Sequence, residues 1–499
     1  AVDVPTGWGT ELAIRPESTV TFHAPKVGMG AECGRIVGKP IGVPQEAMDY
    51  AGPGELALIP RVAKDAHKGQ RGTVLVVDHT TDNDLVKFRF RHAGVRMLAA
   101  EQYFEMGGHA FRAGAFIVPA GDRTALEASL TELGLSAWAT DKAPDVPTHE
   151  LDVPRIGYIH AWQRTQDEGW VRGALDHYGI PYTYFADQKL REGGLRSQYD
   201  VLVFPHVGGD VQSQVNGVAS TGELPLPYRK TEKTPNLGGI DESDDIRGGM
   251  GFEGLVELAR FVQQGGTLIV EGSTAAILPE YGLTAGLSVE QYPNLIAPGS
   301  VHRGMIADKG SPLVYGFTGD QVPVFYRGDV VLGTGGGGAG ALARAFGVGG
   351  GSPWQNTTPM ANLPRLSPWQ ADSAQTAGGR GGAAADPMAE FAQMAREFGL
   401  GGGGAATSSR VVLSFPQRAD QMLLSGALGG GEALSGKPQV VDSKVGEGHV
   451  VSFAIRPFWR WQTQGNYFLG FNAILNWNDL DAGKAAPAAA AGAGGGRPR

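Results

Sequence analysis

The sequence predicts an α/β protein with a doubly wound, mostly parallel sheet, preceded by a smaller α/β unit and a β-rich region. Between residues 155 and 272, short apolar runs alternate with amphipathic helical segments, which is the pattern of parallel strands joined by helices. The apolar runs are nearly continuous, as expected for strands that helices cover on both faces. Gly and Pro residues stand at the ends of these segments and separate them.

The first two predicted units come before residue 143. Residues 1–72 are rich in Gly and Pro and contain short β-type runs such as Ser18–His23, which predicts a β-rich, irregular region. Residues 73–142 are predicted to form a small α/β domain in which the apolar run Thr73–Asp78 is the first strand. The other elements predicted there are a helix at Leu85–Ala93, which residues 82–84 can cap and Gly94 ends, a strand at Phe111–Pro119 and a helix at Asp122–Leu133 that stops before Gly134.

The main domain is predicted over residues 155–481, after a Pro-containing linker at 143–154. Thr165 and Glu168 have the spacing of a capping box at the start of its first helix. The predicted elements are, in order, strand Arg155–His160, helix Gln166–Tyr178, strands Tyr182–Phe185 and Asp200–Pro205, helix Gly254–Gln264, strands Thr267–Gly272, Arg410–Phe415, Val440–Val441 and His449–Ala454, and helix Gly465–Trp477.

Two insertions interrupt this domain, at 206–251 and 333–409, and a Gly/Ala-rich tail at 482–499 is expected to be disordered. The first insertion carries acidic residues at 241–245 without EF-hand spacing, which favours a solvated loop over a calcium site. The second insertion is Gly-rich around one predicted helix at 386–399. The apolar face of that helix packs on the parent domain or, alternatively, binds a partner.

Composition excludes several classes of function. The chain has 499 residues and a formal net charge of −9, which argues against nucleic acid or an anionic membrane as the main partner. No run reaches the roughly 18 apolar residues of a membrane span. Cys33 is the only cysteine, so a disulfide framework and a cysteine-based zinc cluster are excluded. No histidine starts a His-x-x-Glu or His-Glu-x-x-His zinc pattern.

A ligand crevice is predicted where the parallel strands end. His160 and His206 each come at the end of a strand, and ligands of open α/β sheets bind at the carboxyl ends of strands. The segment after the first strand adds aromatic, basic and acidic groups to the same edge. The alternative is that these polar residues end strands and satisfy local backbone groups. The full predicted crevice consists of His160, Trp162, Arg164, Asp167, Glu168, His206 and Ser273.

Ser273 and an aromatic-basic segment are the remaining candidates. Ser273 follows a buried strand, near the place of a nucleophile elbow, which makes it a weak catalytic candidate because Ala275 stands where the elbow pattern requires Gly. Helix capping by Ser273 or Thr274 is the alternative. The second patch comes directly after a strand and either holds a sugar, peptide or carboxylate or seals one end of the sheet. It consists of Arg456, Trp459, Arg460 and Trp461.

Several of these segments resemble a known family. Arg155–Tyr182, Gly107–Pro119 and Gly446–Ala473 are similar to the C-terminal, non-catalytic region of large bacterial secreted zinc carboxypeptidase-like proteins of the carboxypeptidase A type. The resemblance implies that residues 155–481 form a domain similar to class I glutamine amidotransferases. It also implies a secreted or periplasmic location, and a peptidase domain, upstream or on a separate chain, as the partner that holds zinc.

The departures from that family determine the expected function. No segment matches the carboxypeptidase zinc site, and Ser273 stands where an amidotransferase has its cysteine. We therefore expect a non-catalytic accessory part, a pseudoenzyme without a cofactor of its own, that binds substrate or a partner. The opening Ala1 leads us to expect that a longer protein continues upstream. Two alternatives stay open: a stand-alone structural or self-assembling extracellular protein that uses the Gly-rich insertion, and a serine-dependent hydrolase that uses Ser273.

Overall fold

A computed structural model describes residues 72–119, 121–284, 286–334 and 409–484, and the backbone of residues 18–22 and 35–39. The predictions for Cys33, for the helix at 386–399 and for residues 485–499 of the tail lie outside the described residues. No helix in the described part of the chain is long and apolar enough to cross a membrane.

The N-terminal elements form two small sheets and a hairpin. Ser18–Phe22 (β1) pairs in parallel with Arg35–Lys39 (β2), so the strand predicted at Ser18–His23 is confirmed. The following elements are β3 (Val74–Val77), α1 (Asp84–Arg91), β4 (Leu98–Ala100), β5 (Phe104–Met106), β6 (His109–Phe111), β7 (Phe116–Val118), α2 (Arg123–Leu133), β8 (Ala137–Thr140) and β9 (Thr148–Glu150). Five of these strands form an antiparallel sheet in the order β8-β3-β7-β4-β9, and β5 pairs with β6.

Local signals explain α2, whereas pairing with a distant strand explains β9. The carboxylate of Asp122 accepts a hydrogen bond from Ala125 N–H at 3.2 Å, a cap that was not predicted. Gly134 ends the helix in the left-handed conformation, at the position that the sequence predicted. Thr148–Glu150, within the segment predicted as a linker, pairs with β4. The backbone groups of this segment therefore belong to the small sheet, and the prolines on either side only bound a short strand.

The remaining elements build the main domain. They are β10 (Ile156–His160), α3 (Gln166–Tyr178), β11 (Thr183–Ala186), α4 (Leu195–Gln198), β12 (Val201–Phe204), α5 (Val211–Asn216), α6 (Gly251–Gln263), β13 (Thr267–Glu271), α7 (Ile277–Glu280), β14 (Leu287–Glu290), β15 (Ser300–Ile306), β16 (Gln321–Tyr326), β17 (Val331–Thr334), β18 (Ser409–Ser414), β19 (Leu423–Ser425), β20 (Pro438–Val445), β21 (Gly448–Phe453) and α8 (Tyr467–Leu475).

The described part of the main domain is mixed α/β with one large mixed sheet. Its order is β11-β10-β12-β13-β21-β20-β18-β15-β16, with β19 on β15. The first five strands are parallel, and the strands from β21 onward pair antiparallel. Parallel strands need helical crossovers, which the predicted alternation supplies, so the parallel half coincides with the segment where that alternation is clearest.

Both faces of the parallel half are buried because successive side chains of a strand point to opposite faces. Val201 and Val203 of β12 pack into one core with residues of α3 and α8. Leu202 and Phe204 of the same strand pack into a second core with residues of α6. A strand covered on both sides has to be apolar throughout, which is the reason these runs could be recognised in the sequence.

The small sheet docks on α8 through two histidine–asparagine pairs. His79 Nε2 lies 3.1 Å from Asn472 Oδ1, and His149 Nε2 lies 2.8 Å from Asn476 Oδ1. The two asparagines are four residues apart, so they lie on the same face of the C-terminal end of the helix. One continuous core runs from Leu75 in the small sheet to Leu480 after α8.

Candidate functional site

The carboxyl ends of the parallel strands place several ionisable groups at one edge of the sheet. His206 follows β12, and Glu271 is the last residue of β13. Gly272 has a φ of +56°, and a Cβ on it would lie 2.6 Å from Nδ1 of His206. Glycine is therefore required at this turn both for the backbone conformation and for the close approach of the imidazole.

A buried arginine lies at the centre of this edge. The side chain of Arg456 is only 2% exposed and donates to Asp329 Oδ2 from Nε at 3.0 Å and to Asp167 Oδ2 from Nη1 at 2.7 Å. Its Nη2 lies 2.9 Å from His206 Nε2. We call Arg456, Asp167, Asp329 and His206 the Arg456 cluster. Two carboxylates offset the charge of the guanidinium, which makes its burial tolerable.

His206 has more donors around it than a neutral imidazole accepts. Ser273 N–H points at His206 Nδ1 at 3.0 Å, while Arg456 Nη2 approaches Nε2. A neutral imidazole has one acceptor nitrogen, so one of the two contacts is not satisfied as a hydrogen bond. Burial, with the Arg456 charge second, lowers the pKa of His206 to about 4, so the ring is neutral at pH 7. Unsatisfied buried polar groups of this kind are typical of functional sites.

Burial also changes the carboxyl groups of this edge. It raises the pKa of Glu271 to about 8, against the opposing charge of Arg456. Glu271 is thus largely protonated at pH 7. The pKa of Asp167 is raised as well, mainly by burial, although Arg456 opposes the shift. The edge therefore combines a neutral histidine, a protonated carboxyl group and a paired arginine, and groups with perturbed pKa values of this kind cluster at functional sites.

A cavity of about 370 Å³ opens beside the Arg456 cluster. Ser273 and Asp329 line it, together with the carboxyl groups of Asp210, Glu280 and Glu290. Lys437 neutralises Glu290 through an ion pair at 2.7 Å. Burial, with the charge of Asp210 second, raises the pKa of Glu280. The cavity wall is rich in hydrogen-bond acceptors and suits a ligand with several N–H or O–H donors.

His160 belongs to a second group of contacts at the same edge. Its Nε2 lies 2.9 Å from Asp241 Oδ2, and its ring stacks on Tyr184 at a centroid distance of 4.3 Å. Tyr184 donates to the buried carboxylate of Glu168 at 3.0 Å, and Lys189 pairs with Asp241 at 3.1 Å. Asp241 comes from the first insertion, and its side chain is only 7% exposed. The interpretation of 241–245 as a solvated loop is therefore wrong for Asp241, whose charge is neutralised by residues of the sheet edge.

Two local predictions about helix starts have different outcomes. Thr165 makes no capping bond, and the backbone oxygen of Glu168 accepts from Tyr158 Oη at 2.6 Å while its carboxylate turns to Tyr184, so the predicted capping box is wrong. Thr274 does take part in a capping box, with Glu271 as its partner. Ser273 Oγ accepts from Gly208 N–H at 2.8 Å, and His206 contacts the backbone nitrogen of Ser273. A serine nucleophile needs a hydrogen bond from its hydroxyl group to a base. Ser273 Oγ makes no such bond to the imidazole of His206.

Backbone strain is concentrated at this edge. In the described part of the chain the non-glycine residues with positive φ are Thr81, Arg164, Arg460 and Trp461, and the last three follow β10 or β21. Side chains with a Cβ adopt this conformation only at a cost of about 1 kcal/mol or more, and such residues cluster at functional sites. Arg456 and Arg460 both lie over the ring of Trp459, with Cζ 5.0 and 5.1 Å from its centroid.

The structure redistributes the sequence-predicted site residues. Arg456, predicted in the second patch, joins His206 and Asp167 of the predicted crevice, while His160, Trp162 and Glu168 contact a different set of partners. Asp329 and Glu271 were not predicted from the sequence as site residues. Glu271 could have been found, because it is the charged last residue of a buried strand. Asp329 lies in the turn between β16 and β17 and has no local signal.

No group of three His, Cys, Asp or Glu residues suited to a metal ion is found within residues 72–119, 121–284, 286–334 and 409–484. The acidic residues at 241–245 likewise do not converge, since Asp241 points to His160 and Asp245 pairs with Arg247 at 2.7 Å.

Comparison with known proteins identifies relatives of a class that the sequence did not suggest. No protein-family profile matches the chain. It is 39% identical over 105 residues to the bifunctional NAD(P)H-hydrate repair enzyme Nnr of Archaeoglobus fulgidus, a match that covers 19% of this chain and 23% of that protein. It is 30% identical over 167 residues to the enzyme of the same name from Methanothermobacter thermautotrophicus, covering 32% and 27% respectively. The chain thus spans about a quarter of the length of the curated relatives it matches.

Solved structures with a similar arrangement are remote. A cytoplasmic protein from Salmonella typhimurium aligns with 64% of this chain and 99% of its own at a TM-score of 0.30 and 10% identity. A β-galactosidase from Bacillus circulans aligns with 72% of this chain and 35% of its own at a TM-score of 0.28 and 12% identity.

These matches correct the functional expectation. The resemblance to zinc carboxypeptidase-like proteins is wrong, because the curated relatives are NAD(P)H-hydrate repair enzymes. The accessory metallopeptidase role is therefore wrong as well. The relatives support neither a self-assembling structural protein nor a serine-dependent hydrolase. The predicted export and peptidase partner came from the same resemblance and stay predictions.

Proposed function

We propose that the chain binds a nicotinamide nucleotide at the carboxyl edge of its parallel strands and acts on the hydrated form of that nucleotide. The names of the matching relatives suggest the class of ligand. The observation that carries the proposal is the buried Arg456 cluster, with its neutral histidine, beside a cavity lined by carboxyl groups. Groups with perturbed pKa values cluster at functional sites, and this cluster lies at the edge of the sheet where ligands bind.

The cavity accommodates half of such a nucleotide. A volume of about 370 Å³ lies at the lower end of the range for small-molecule sites and suits a nicotinamide with its ribose. The carboxamide and ribose hydroxyls are hydrogen-bond donors, and the carboxyl groups of Asp210, Glu280 and Asp329 accept from donors. The protein thus offers acceptors where this part of the ligand offers donors.

Glu280 is the proposed proton donor. A hydroxyl group leaves a hydrated ring as water only when a proton is supplied to it, and an acid with a raised pKa is suited to that step. Glu280 lines the cavity, and burial beside Asp210 raises its pKa. Asp210 lines the same cavity beside Glu280 and is the proposed acceptor of the proton that leaves the neighbouring ring position.

For the fold, we infer that residues 155–272 with β21 follow the winding of flavodoxin-like and glutamine amidotransferase-like domains. The support is the order of the five parallel strands, second-first-third-fourth-fifth along the chain, with α3 and α6 on opposite faces. In such sheets the ligand site lies outside the carboxyl ends at the point where the strand order reverses, beside β10 and β12.

Calorimetric titration tests the proposal. Wild-type protein is titrated with NADH, NADPH and their acid-generated hydrates, and loss of the hydrate is followed by recovery of absorbance at the nicotinamide band. Glu280→Gln should bind the hydrate and lose turnover, whereas Asp329→Asn should weaken binding about tenfold, the value of one charged hydrogen bond. The matched control is Glu253→Gln, an exposed position on α6 outside the cavity.

Two results would overturn the proposal. One is the absence of heat with all four nucleotides at millimolar concentration. The other is binding or turnover that Glu280→Gln and Asp329→Asn leave at the level of Glu253→Gln, because the ligand would then occupy some other part of the chain.

A further inference from the structure

Three exposed arginines lie around the Arg456 cluster and, within the described residues, have no hydrogen-bond or ion-pair partner. Arg164, Arg327 and Arg460 are exposed, and within the described residues none of them forms an ion pair or donates a hydrogen bond. Their charges act on the same cluster: Arg164 and Arg327 lower the pKa of His206, and Arg327 and Arg460 lower that of Asp167. We call these three residues the arginine rim.

Several other arginines in the described part of the chain are extensively hydrogen-bonded. Arg155, Arg247 and Arg410 each donate several hydrogen bonds to carboxylate or carbonyl oxygens. Arg327 and Arg460 act electrostatically on Asp167, yet Asp167 and Asp329 are already paired with Arg456. The rim therefore keeps its donors free and the positive charge at the mouth exceeds the negative charge.

Two residues of the arginine rim, Arg164 and Arg460, have a strained backbone conformation. Arg164 has a φ of +55° and Arg460 a φ of +48°, the conformation that disfavours any residue with a Cβ. Arg164 also lies so close to Gly209 that a Cβ there would collide with its Nη1. Arg460 lies 5.1 Å above Trp459, a ring that stacks on Phe325 at 4.4 Å. Residues in this conformation cluster at functional sites, which favours a binding role for these two arginines.

We propose that the arginine rim is an anion-binding site that takes the diphosphate group of a nucleotide whose other half occupies the cavity. Guanidinium groups bind phosphate oxygens in pairs of parallel hydrogen bonds, and three of them around one opening match the several oxygens of a diphosphate. This inference rests on the proposed function for the identity of the ligand, but the anion chemistry can be tested apart from it.

Inorganic pyrophosphate is the probe, titrated calorimetrically into the full chain at low ionic strength. Arg164→Ala and Arg460→Ala should each weaken pyrophosphate binding about tenfold, and the binding constant should fall as salt is added. Arg418→Ala is the matched control, since that side chain is 69% exposed and pairs with Asp420 away from this edge. Arg164→Gly should lose binding to the same extent while raising the melting temperature, because glycine relieves the backbone strain. This variant separates loss of the anion site from loss of folding.

The outcomes distinguish this inference from the proposed function. Pyrophosphate binding that the rim variants lose, with no binding of any nicotinamide nucleotide, supports the rim and overturns the proposed function. Nucleotide binding that Arg164→Ala and Arg460→Ala leave unchanged overturns the rim and supports the proposed function. Absence of pyrophosphate binding by the wild-type chain also overturns the rim.

Discussion

Replacing Arg456 by methionine should destabilise the fold strongly, because the substitution leaves two half-buried carboxylates without their counterion. Methionine keeps much of the apolar packing of the arginine stem, so the loss reports on charge. Removal of one partner from a buried ion pair costs about 3–5 kcal/mol. The side chains of Asp167 and Asp329 are still 13% and 17% exposed, and partial hydration places the expected loss near the lower limit, about 3 kcal/mol.

The pH dependence identifies the cause of that loss. Burial already raises the pKa of Asp167, and removal of Arg456 takes away the charge that opposes this shift, so the folded variant binds a proton in a pH range where the unfolded chain does not. Its stability therefore increases as the pH falls from 7 towards 5, and the deficit relative to wild type becomes smaller. A double variant, Arg456→Met with Asp329→Asn, should recover part of the loss because one unpaired charge is gone.

Urea unfolding followed by tryptophan fluorescence at pH 7 and pH 5 measures these quantities. The control is Arg418→Met, an exposed position expected to change stability by less than about 0.5 kcal/mol. A loss below about 1 kcal/mol for Arg456→Met, or a loss that is the same at both pH values, would refute the reasoning, because the cluster would then behave like a surface ion pair.

The remaining predictions concern the docked sheet and the first insertion. Burial lowers the pKa of His79 to about 4, so the unfolded chain binds a proton that the folded chain does not, and the free energy of unfolding falls by about 2 kcal/mol between pH 7 and pH 5. His79→Gln should remove this part of the pH dependence, as measured by urea unfolding. The control variant His177→Gln, at an exposed position, should leave the pH dependence intact. Asp241→Asn removes the charge that holds the insertion on the sheet edge, so trypsin should cleave the insertion several-fold faster than in the wild type. The neighbouring variant Glu242→Gln should be cleaved at the wild-type rate. Equal cleavage rates for the two variants would contradict the role of Asp241 in holding the insertion. Gly316→Ala places a Cβ against Nδ1 of His79 at a φ of +84° and should lower the free energy of unfolding by about 2 kcal/mol or more, which thermal denaturation would detect; an unchanged melting temperature would contradict the close docking of the two residues.

The sequence alone predicted the helices and strands whose formation depends on residues close together in the chain. Helix α2 was predicted from the helical spacing of its apolar residues and from Gly134, which ends it in the left-handed conformation. Strands β10, β12 and β13 are apolar throughout because helices cover both of their faces, so continuous apolar runs predicted them. The same reasoning placed His160, His206 and Ser273 at the ends of strands, where the structure has them.

Long-range contacts decided what the sequence left open. Arg456 is separated along the sequence by 289 residues from Asp167 and by 127 residues from Asp329. No local sequence pattern predicts that either aspartate pairs with it. Thr148–Glu150 became a strand because β4 offered an unpaired edge, not because its own residues favour one. The family resemblance failed for a related reason: patterns that build a doubly wound sheet are shared by unrelated activities, because they encode burial on two faces. The pairing of charges at the strand ends depends on which segments the sheet order brings together, and only the tertiary structure determines that order.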